Sequence, residues 1–286
     1  MALQTLESLG IHEIDSNEYL QEEVKSSKLA ELAKNYGPID PTGTSVGTVS
    51  GVVAYGVGEG KAKTTSGATG RIVLKPNKLV SAVVLTEEVV KGSTRLENAL
   101  WDEMVSSQAK GFDAFGIGTK AKPADWGDNF KSLSEVVNEV EIGEGQDAVD
   151  DLIDAENSVR DAEVNAYLVS SGMLSYLRRQ KNAAGFPLFD LSNGEINGVP
   201  YVKFASTERV LYAANWNRVW FSFENFTDRD GNTFRVVNQG SISDADGTEH
   251  NLTAENKYAI IKEDMVALTY DESAIVRVVV AETTGE

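Results

Sequence analysis

Apolar positions recur most regularly between residues 94 and 117. Leu96, Leu100, Met104, Phe112 and Phe115 fall at spacings near three and four, and Trp101, Val105 and Ala109 widen the stripe. Glu97, Asp102, Glu103, Ser106 and Lys110 take the other side. This predicts a helix of roughly 35 Å at 1.5 Å per residue. Ser93 or Thr94 caps its start, and Gly116 and Gly118 stop it. Leu100, Met104 and Phe112 are expected to lie buried beneath strands supplied later in the chain. Upstream, Val46–Val57 and Arg71–Leu85 are rich in β-branched residues and predict the arms of a long hairpin. Between the arms stand Gly56, Gly58, Gly60, Gly67 and Gly70, with lysines and threonines. A tip of that composition has little apolar surface to bury on its own chain. It is expected to lie on a neighbouring copy.

The remaining pattern mixes helices and strands, which predicts an α+β fold. Ser16 or Asn17 caps a helix reaching about Asn35, with Leu20, Val24, Leu29, Leu32 and Tyr36 on one face. Gly37-Pro38 ends it. Residues 119–146 read as loop-rich, and residues 147–162 as a helix with Val149, Leu152, Ile153 and Val159 inward. Ala166–Ser170 is a buried strand, followed by a helix over 172–181 capped by Ser170 or Ser171. GEINGVPYVKF predicts a hairpin about Asn197-Gly198, and VLYAANWNRVWFSF further strand. From Asn232 the chain turns strand-rich, through TFRVV, a polar loop at 241–251, YAIIKEDMVALTY, and a last strand over Ala274–Ala281.

Composition narrows the function. The chain has 286 residues, 41% of them hydrophobic, which is enough for a sizeable core. No apolar run reaches membrane-spanning length. The absence of cysteine excludes thiolate zinc sites and a cysteine nucleophile. Forty-four acidic residues against 26 basic ones give a formal net charge of −18, which argues against a dedicated nucleic-acid-binding domain. Catalytic motifs fail on spacing. A phosphate loop ending at Gly60-Lys61 needs glycine at 55 and Ser or Thr at 62, where Tyr55 and Ala62 stand. The dinucleotide pattern needs a third glycine where Lys61 stands. The only histidines are His12 and His250, which makes a histidine triad or zinc centre unexpected. Asp147, Asp150, Asp151 and Asp154 cannot all converge from one helix, and first-turn acids suit the helix dipole, so they predict a solvated face. No enzyme activity, cofactor or metal is expected.

The AYGVGEGKAK tip, the return arm IVLKPNKLVSAVVLTEEVV and the long helix after it resemble the major capsid proteins of tailed phages. Later stretches continue the resemblance in family order: LSYLRRQKNAAGFPLF, GEINGVPYVKF and IIKEDMVALTYDESAIVRVVVA. The resemblance implies the Hong Kong 97 fold. Residues 1–45 would be the N-terminal arm and 46–85 the extended β-hairpin loop. Residues 86–120 and 233–272 would form the peripheral domain with its long spine helix, and 121–232 and 273–286 the axial domain. It implies self-assembly of pentamers and hexamers into an icosahedral shell in the host cytoplasm, enclosing DNA without sequence-specific binding and without a membrane. Separate scaffold, portal and decoration proteins are its implied partners. Gly58, Glu59, Lys61 and Lys63 would form the inter-subunit loop tip. Some members weld their shells with isopeptide bonds, in which a loop lysine attacks an asparagine of a neighbour. A glutamate seven residues beyond that asparagine, from a third subunit, acts as base. Lys63 matches the lysine, with Lys61 as substitute, and Asn256 and Glu263 carry the spacing in NKYAIIKE. Thr64 follows Lys63 where the family pattern has proline. An encapsulin-like nanocompartment shell and a soluble enzyme with an unfamiliar site are the alternatives.

Overall fold

The computed structural model describes residues 16–40, 42–50, 68–86, 94–145, 147–160, 163–225, 234–243 and 247–280. The N-terminal helix comes in two pieces, α1 (Ser16–Ser26) and α2 (Lys28–Leu32). The break lies at Ser27, whose backbone is extended and whose Oγ accepts from the amide of Ala30. The expected continuation to Asn35 gives way to strand. β1 (Lys34–Asn35) runs parallel to the edge of β10 (Val219–Asn225), and the Tyr36 amide bonds the Phe221 carbonyl at 2.8 Å. An open strand edge offers unpaired backbone groups, and extended chain satisfies them where one more helical turn would not.

β2 (Thr44–Ser50) and β3 (Ala68–Leu74) pair antiparallel from Thr44↔Leu74 to Ser50↔Ala68 and form the stem of the ribbon. Arg71–Leu85 is not one arm, because it divides at Lys75-Pro76. Proline has no amide to give a ladder. Past it, β4 (Asn77–Thr86) joins a different sheet. The root of the ribbon is fixed by Leu74 and Val46, buried with Ile39, Trp220 and Ala267.

The predicted long helix is α3 (Thr94–Ile117). Trp101, Met104, Val105, Ala109 and Phe112 are buried, while Leu100 is only half-buried. Gly116 continues the helix, and Gly118, at φ +89°, ends it. A Cβ on Gly116 would stand 2.3 Å from Leu29 Cδ1, so glycine there is what lets α2 approach α3. Asp113 of α3 closes the Ser27 break. Its carboxylate accepts from Ser27 Oγ at 2.7 Å, the Lys28 amide at 2.8 Å and the Leu29 amide at 3.1 Å.

Residues 119–146, expected to be loop, contain β5 (Glu139–Ile142). α4 (Asp147–Ser158) follows, then β6 (Ala166–Ser170) and α5 (Ser171–Leu177), shorter than expected. α4 turns Ala148, Leu152 and Ala155 inward, so Ile153, expected inside, points outward. β7 (Glu195–Ile196) and β8 (Val199–Phe204) form the predicted hairpin, with Asn197 and Gly198 at φ 52° and 90°. Positive φ at both central residues is the demand of the tight turn that matches strand twist. Then come β9 (Val210–Ala214), β10, β11 (Phe234–Val237), and a small hairpin of β12 (Ser241–Ser243) and β13 (Glu249–Asn251) inside the expected polar loop. β14 (Lys257–Tyr270) and β15 (Ile275–Val280) complete the order.

Two sheets result. The first is built on β14, whose 14 residues pair with β4 along one side and with β11 and then β10 along the other. The second runs β5-β15-β9-β6-β8-β7. β10 therefore sits in the first sheet, although 121–232 was expected to be one axial unit, and the chain crosses at Asn215–Arg218. It crosses again at Asp271–Ala274. The two crossings are stitched by Asn215 N to Ala274 O at 2.9 Å, Asp271 N to Arg218 O at 3.1 Å, and Asp271 Oδ2 to Arg160 and Arg218 at 3.4 and 3.2 Å. One apolar core spans both sheets, from Leu29, Phe112 and Phe221 to Leu168, Tyr212 and Ile275. A second lies under α4 and α5 on the outer face of the second sheet.

Phe112 is fully buried, against the rings of Phe130, Phe221 and Phe223 at centroid distances of 6.2, 6.0 and 5.4 Å. Phe112→Ala is expected to cost about 3–5 kcal/mol, read as a lower urea midpoint at unchanged slope. Leu100→Ala should cost clearly less, and equal costs would contradict this placement of the stripe.

Candidate functional site

The loop-tip residues Gly58, Glu59, Lys61 and Lys63 lie outside the described residues. The other two cross-link candidates are placed. Asn256 is exposed in the turn entering β14, with φ 51°. That turn is braced: the Lys257 amide bonds Leu252 O at 2.9 Å, the Glu255 amide bonds Asn251 O at 3.0 Å, and Lys257 Nζ sits 2.5 Å from Glu255 Oε2. Glu263 stands midway along β14, opposite Val80 of β4. Its carboxylate is held by Lys78 at 2.9 Å and Arg235 at 3.6 Å. Seven residues of extended chain separate the two, roughly 23 Å at 3.3 Å per residue. One subunit does not bring them together.

What the fold does bring together was not read from the sequence. Successive even-numbered residues of β14 face α3, and Tyr258, Ile260, Lys262, Asp264, Val266, Leu268 and Tyr270 are all buried. Lys262 Nζ lies 2.5 Å from Asp264 Oδ2 and 2.5 Å from Oε1 of Glu23, which reaches in from α1. Asn225 Oδ1 accepts from the same ammonium at 3.3 Å. All three charged side chains are 0% exposed. Above them Gln108, midway along α3, donates to Lys262 O at 3.1 Å and to Ser81 Oγ of β4 at 3.3 Å. This polar layer separates two apolar regions. On one side Trp101, Met104 and Val105 meet Phe234 and Ile260, and on the other Phe112 meets Val266 and Leu268. Strand parity was the available signal: Lys262 and Asp264 share it with Ile260 and Val266. For Glu23, next to half-buried Val24 on a short helix, no comparable signal exists.

Two carboxylates around one ammonium cannot both ionise cheaply out of water. Burial, and then the Asp264 carboxylate, push Glu23 up to about 8 against the pull of Lys262. Burial likewise pushes Asp264 up to about 6. Burial also raises the Asp113 carboxyl, against the three donors it accepts from. No group of three or more His, Cys, Asp or Glu side chains suited to a metal occurs among the described residues. Asp151, one of the α4 acids, is instead occupied in accepting from the Gly143 amide at 2.7 Å. No described helix is long and apolar enough to cross a membrane.

The cluster sets a pH dependence. Folded protein keeps a proton on Glu23 that the unfolded chain releases near the ordinary glutamate value of 4.5. Stability from this group is therefore lost as pH rises from about 4.5 to about 8, and then levels. Glu23→Gln, neutral at all pH, should flatten that part of the curve. Urea midpoints at pH 6 and pH 9 are expected to differ more in the wild type than in the variant, and identical differences would exclude Glu23 as the source.

Comparison with known proteins follows the same outline. A model of the phage capsid family matches residues 13–221. No curated protein matches the sequence. Among solved structures, a chain from Gordonia phage Cozz superposes with a TM-score of 0.66 at 19% identity, covering 89% of this chain and 86% of that one. One from Mycobacterium phage Adephagia gives 0.64 at 16%, covering 100% of both. The capsid of an empty GTA particle gives 0.60 at 14%, covering 90% of both. These likenesses show the fold, an α+β capsid fold of the Hong Kong 97 type. The family match spans most of the chain and the fold agrees with it: this chain belongs to the phage capsid family and is a major capsid protein of the phage head shell.

Proposed function

We propose that copies of this chain close into an icosahedral shell of pentamers and hexamers around the double-stranded DNA of a tailed phage. The observation that carries the proposal is the ribbon. Its stem is paired over seven residues and rooted by Leu74 and Val46 in its own subunit. The stretch beyond the stem, residues 51–67, holds five glycines and few large apolar residues. A built stem that leads to a segment with little to bury supports a tip that lies on the next copy. The chain works as structural material, not as an enzyme. Scaffold, portal and decoration functions belong to separate proteins, and assembly takes place in the host cytoplasm. The net charge of −18 suits a wall that holds DNA without binding a sequence.

Covalent closure of the shell is part of this reading. Lys63 of one copy, as the neutral amine, attacks Cγ of Asn256 on a second. The new C–N bond replaces the amide C–N bond, and ammonia leaves. Glu263 of a third copy takes the proton from the attacking nitrogen and returns it to the leaving one. The roughly 23 Å between Asn256 and Glu263 of one chain supports the need for different copies. Glu263 must then exchange its hold on Lys78 and Arg235 for the incoming amine.

Two measurements test the reading. Electron microscopy of the purified chain at high concentration is expected to show closed shells or capsomers, and a persistent monomer would overturn the shell. Denaturing electrophoresis of assembled particles is expected to show a ladder of covalent multimers that disappears in Lys63→Ala and in Glu263→Ala. A single band near 30.9 kDa would remove the cross-link and leave the shell standing.

A further inference from the structure

Charge is segregated along the second sheet unit. Residues 138–164, which carry β5 and α4, hold ten carboxylates and one arginine. Residues 171–209, from α5 to the start of β9, hold five cations and three carboxylates. On α4, with its apolar stripe against the sheet, Asp150 and Asp154 point outward, and Ile153 between them is 47% exposed. α5 is followed by exposed Arg178 and Arg179, with exposed Lys181 shortly after. A turn then presents Phe186 to solvent, 67% exposed. That turn is braced. The Asn182 amide bonds Phe186 O at 2.9 Å, and Asn182 Oδ1 accepts from the amides of Ala184 and Phe186 at 3.0 Å each. An exposed ring on a fixed turn is a feature of contact surfaces, where aromatic and arginine side chains concentrate. Among the described residues, neither these three cations nor Asp150 and Asp154 make an ion pair within the subunit.

We propose that the two patches are the halves of one contact between copies: the knuckle of Arg178, Arg179, Lys181 and Phe186 seats on the Asp150–Ile153–Asp154 face of α4 in the next subunit. This rests on the shell reading and names a surface by which copies join into rings. The occupant is a second copy because the complement of each patch in charge and in apolar content is carried by the same chain. The contact is head-to-tail. Each patch repels its own kind, so copies pair unlike patches, and repetition of that pairing around a ring follows from the shell reading.

Charge reversal tests it. Arg178→Glu with Arg179→Glu makes both patches acidic, and Asp150→Lys with Asp154→Lys makes both basic. All four side chains are exposed, so the subunits are expected to fold, which circular dichroism and thermal melting check. Each variant alone should need a concentration higher by about tenfold or more to form rings. An equal mixture must alternate the two variants, and alternation closes a ring of six but not of five. The mixture is therefore expected to give hexamers and their tubes or sheets without closed shells. A chain carrying all four substitutions should regain rings of both sizes. Variants that assemble as well as the wild type overturn the contact and leave the shell reading intact. Assembly lost in both variants and repaired by neither the mixture nor the fourfold chain overturns the contact as well. A wild type that forms no ring under any condition overturns the shell reading itself.

Discussion

A lysine buried between two carboxylates fixes how the first sheet and its helices meet. An apolar seam alone would let α3 slide along β14 by a turn, because one aliphatic contact replaces another at small cost. Lys262, Asp264 and Gln108 remove that freedom. Any other register would take the Gln108 amide away from Lys262 O and Ser81 Oγ and set it against apolar side chains, a buried polar loss that costs far more than a misplaced methyl. The same layer recruits Glu23, so the position of α1 is tied to β14 through Lys262. Specificity of this kind has a cost in stability, visible in the raised carboxylates, Glu23 most of all.

From that frame the outward parts follow. The sheet on β14 supplies the floor on which the ribbon root is fixed, by Leu74 and Val46 packed against Trp220 and Ala267. Pro76 then separates stem from floor, so the ribbon leaves as its own two-stranded unit while β4 stays behind in the sheet. At the far end, the paired crossings at Asn215–Arg218 and Asp271–Ala274 hold the second sheet at a set angle through Asp271 and its two arginines. The subunit thus joins its two sheets through paired polar crossings and roots the ribbon stem in the first of them.

The sequence made the long helix, the ribbon, the Asn197-Gly198 hairpin and the last strands legible, because each has a period or a turn chemistry set by local backbone geometry. It misled where tertiary pairing outweighed local preference. Lys34 and Asn35 read as helix, and the edge of β10 drew them into strand. Arg71–Leu85 read as one arm, yet the break at Pro76 sends its halves to different sheets. Ile153 read as core because it is isoleucine, although α4 is anchored by Ala148, Leu152 and Ala155 and leaves it outside. Glu23, Lys262 and Asp264 were passed over because ionisable residues are ordinarily exposed. Their burial is a property of three elements meeting, which no window of sequence contains. Of the cross-link candidates, the spacing of Asn256 and Glu263 was readable. That they stand apart on one chain follows only from β14 being extended.

The order of strands also bears on how the molecule is made. β15, the last strand in chain order, does not lie at an edge. It sits between β5 and β9. Until residues 275–280 have been synthesised, β5 has no partner in the sheet and β9 has an open side. The second sheet closes only once residues 275–280 have emerged, after β6, β8 and β9. A product truncated before this strand exposes the edges of β5 and β9 and the apolar residues that Ile275, Val276 and Val278 cover, the marks by which proteases and chaperones sort misfolded chains. Placing β15 in the interior makes the second sheet depend on residues 275–280, so that a chain without them lacks the ordered surfaces from which a shell is built.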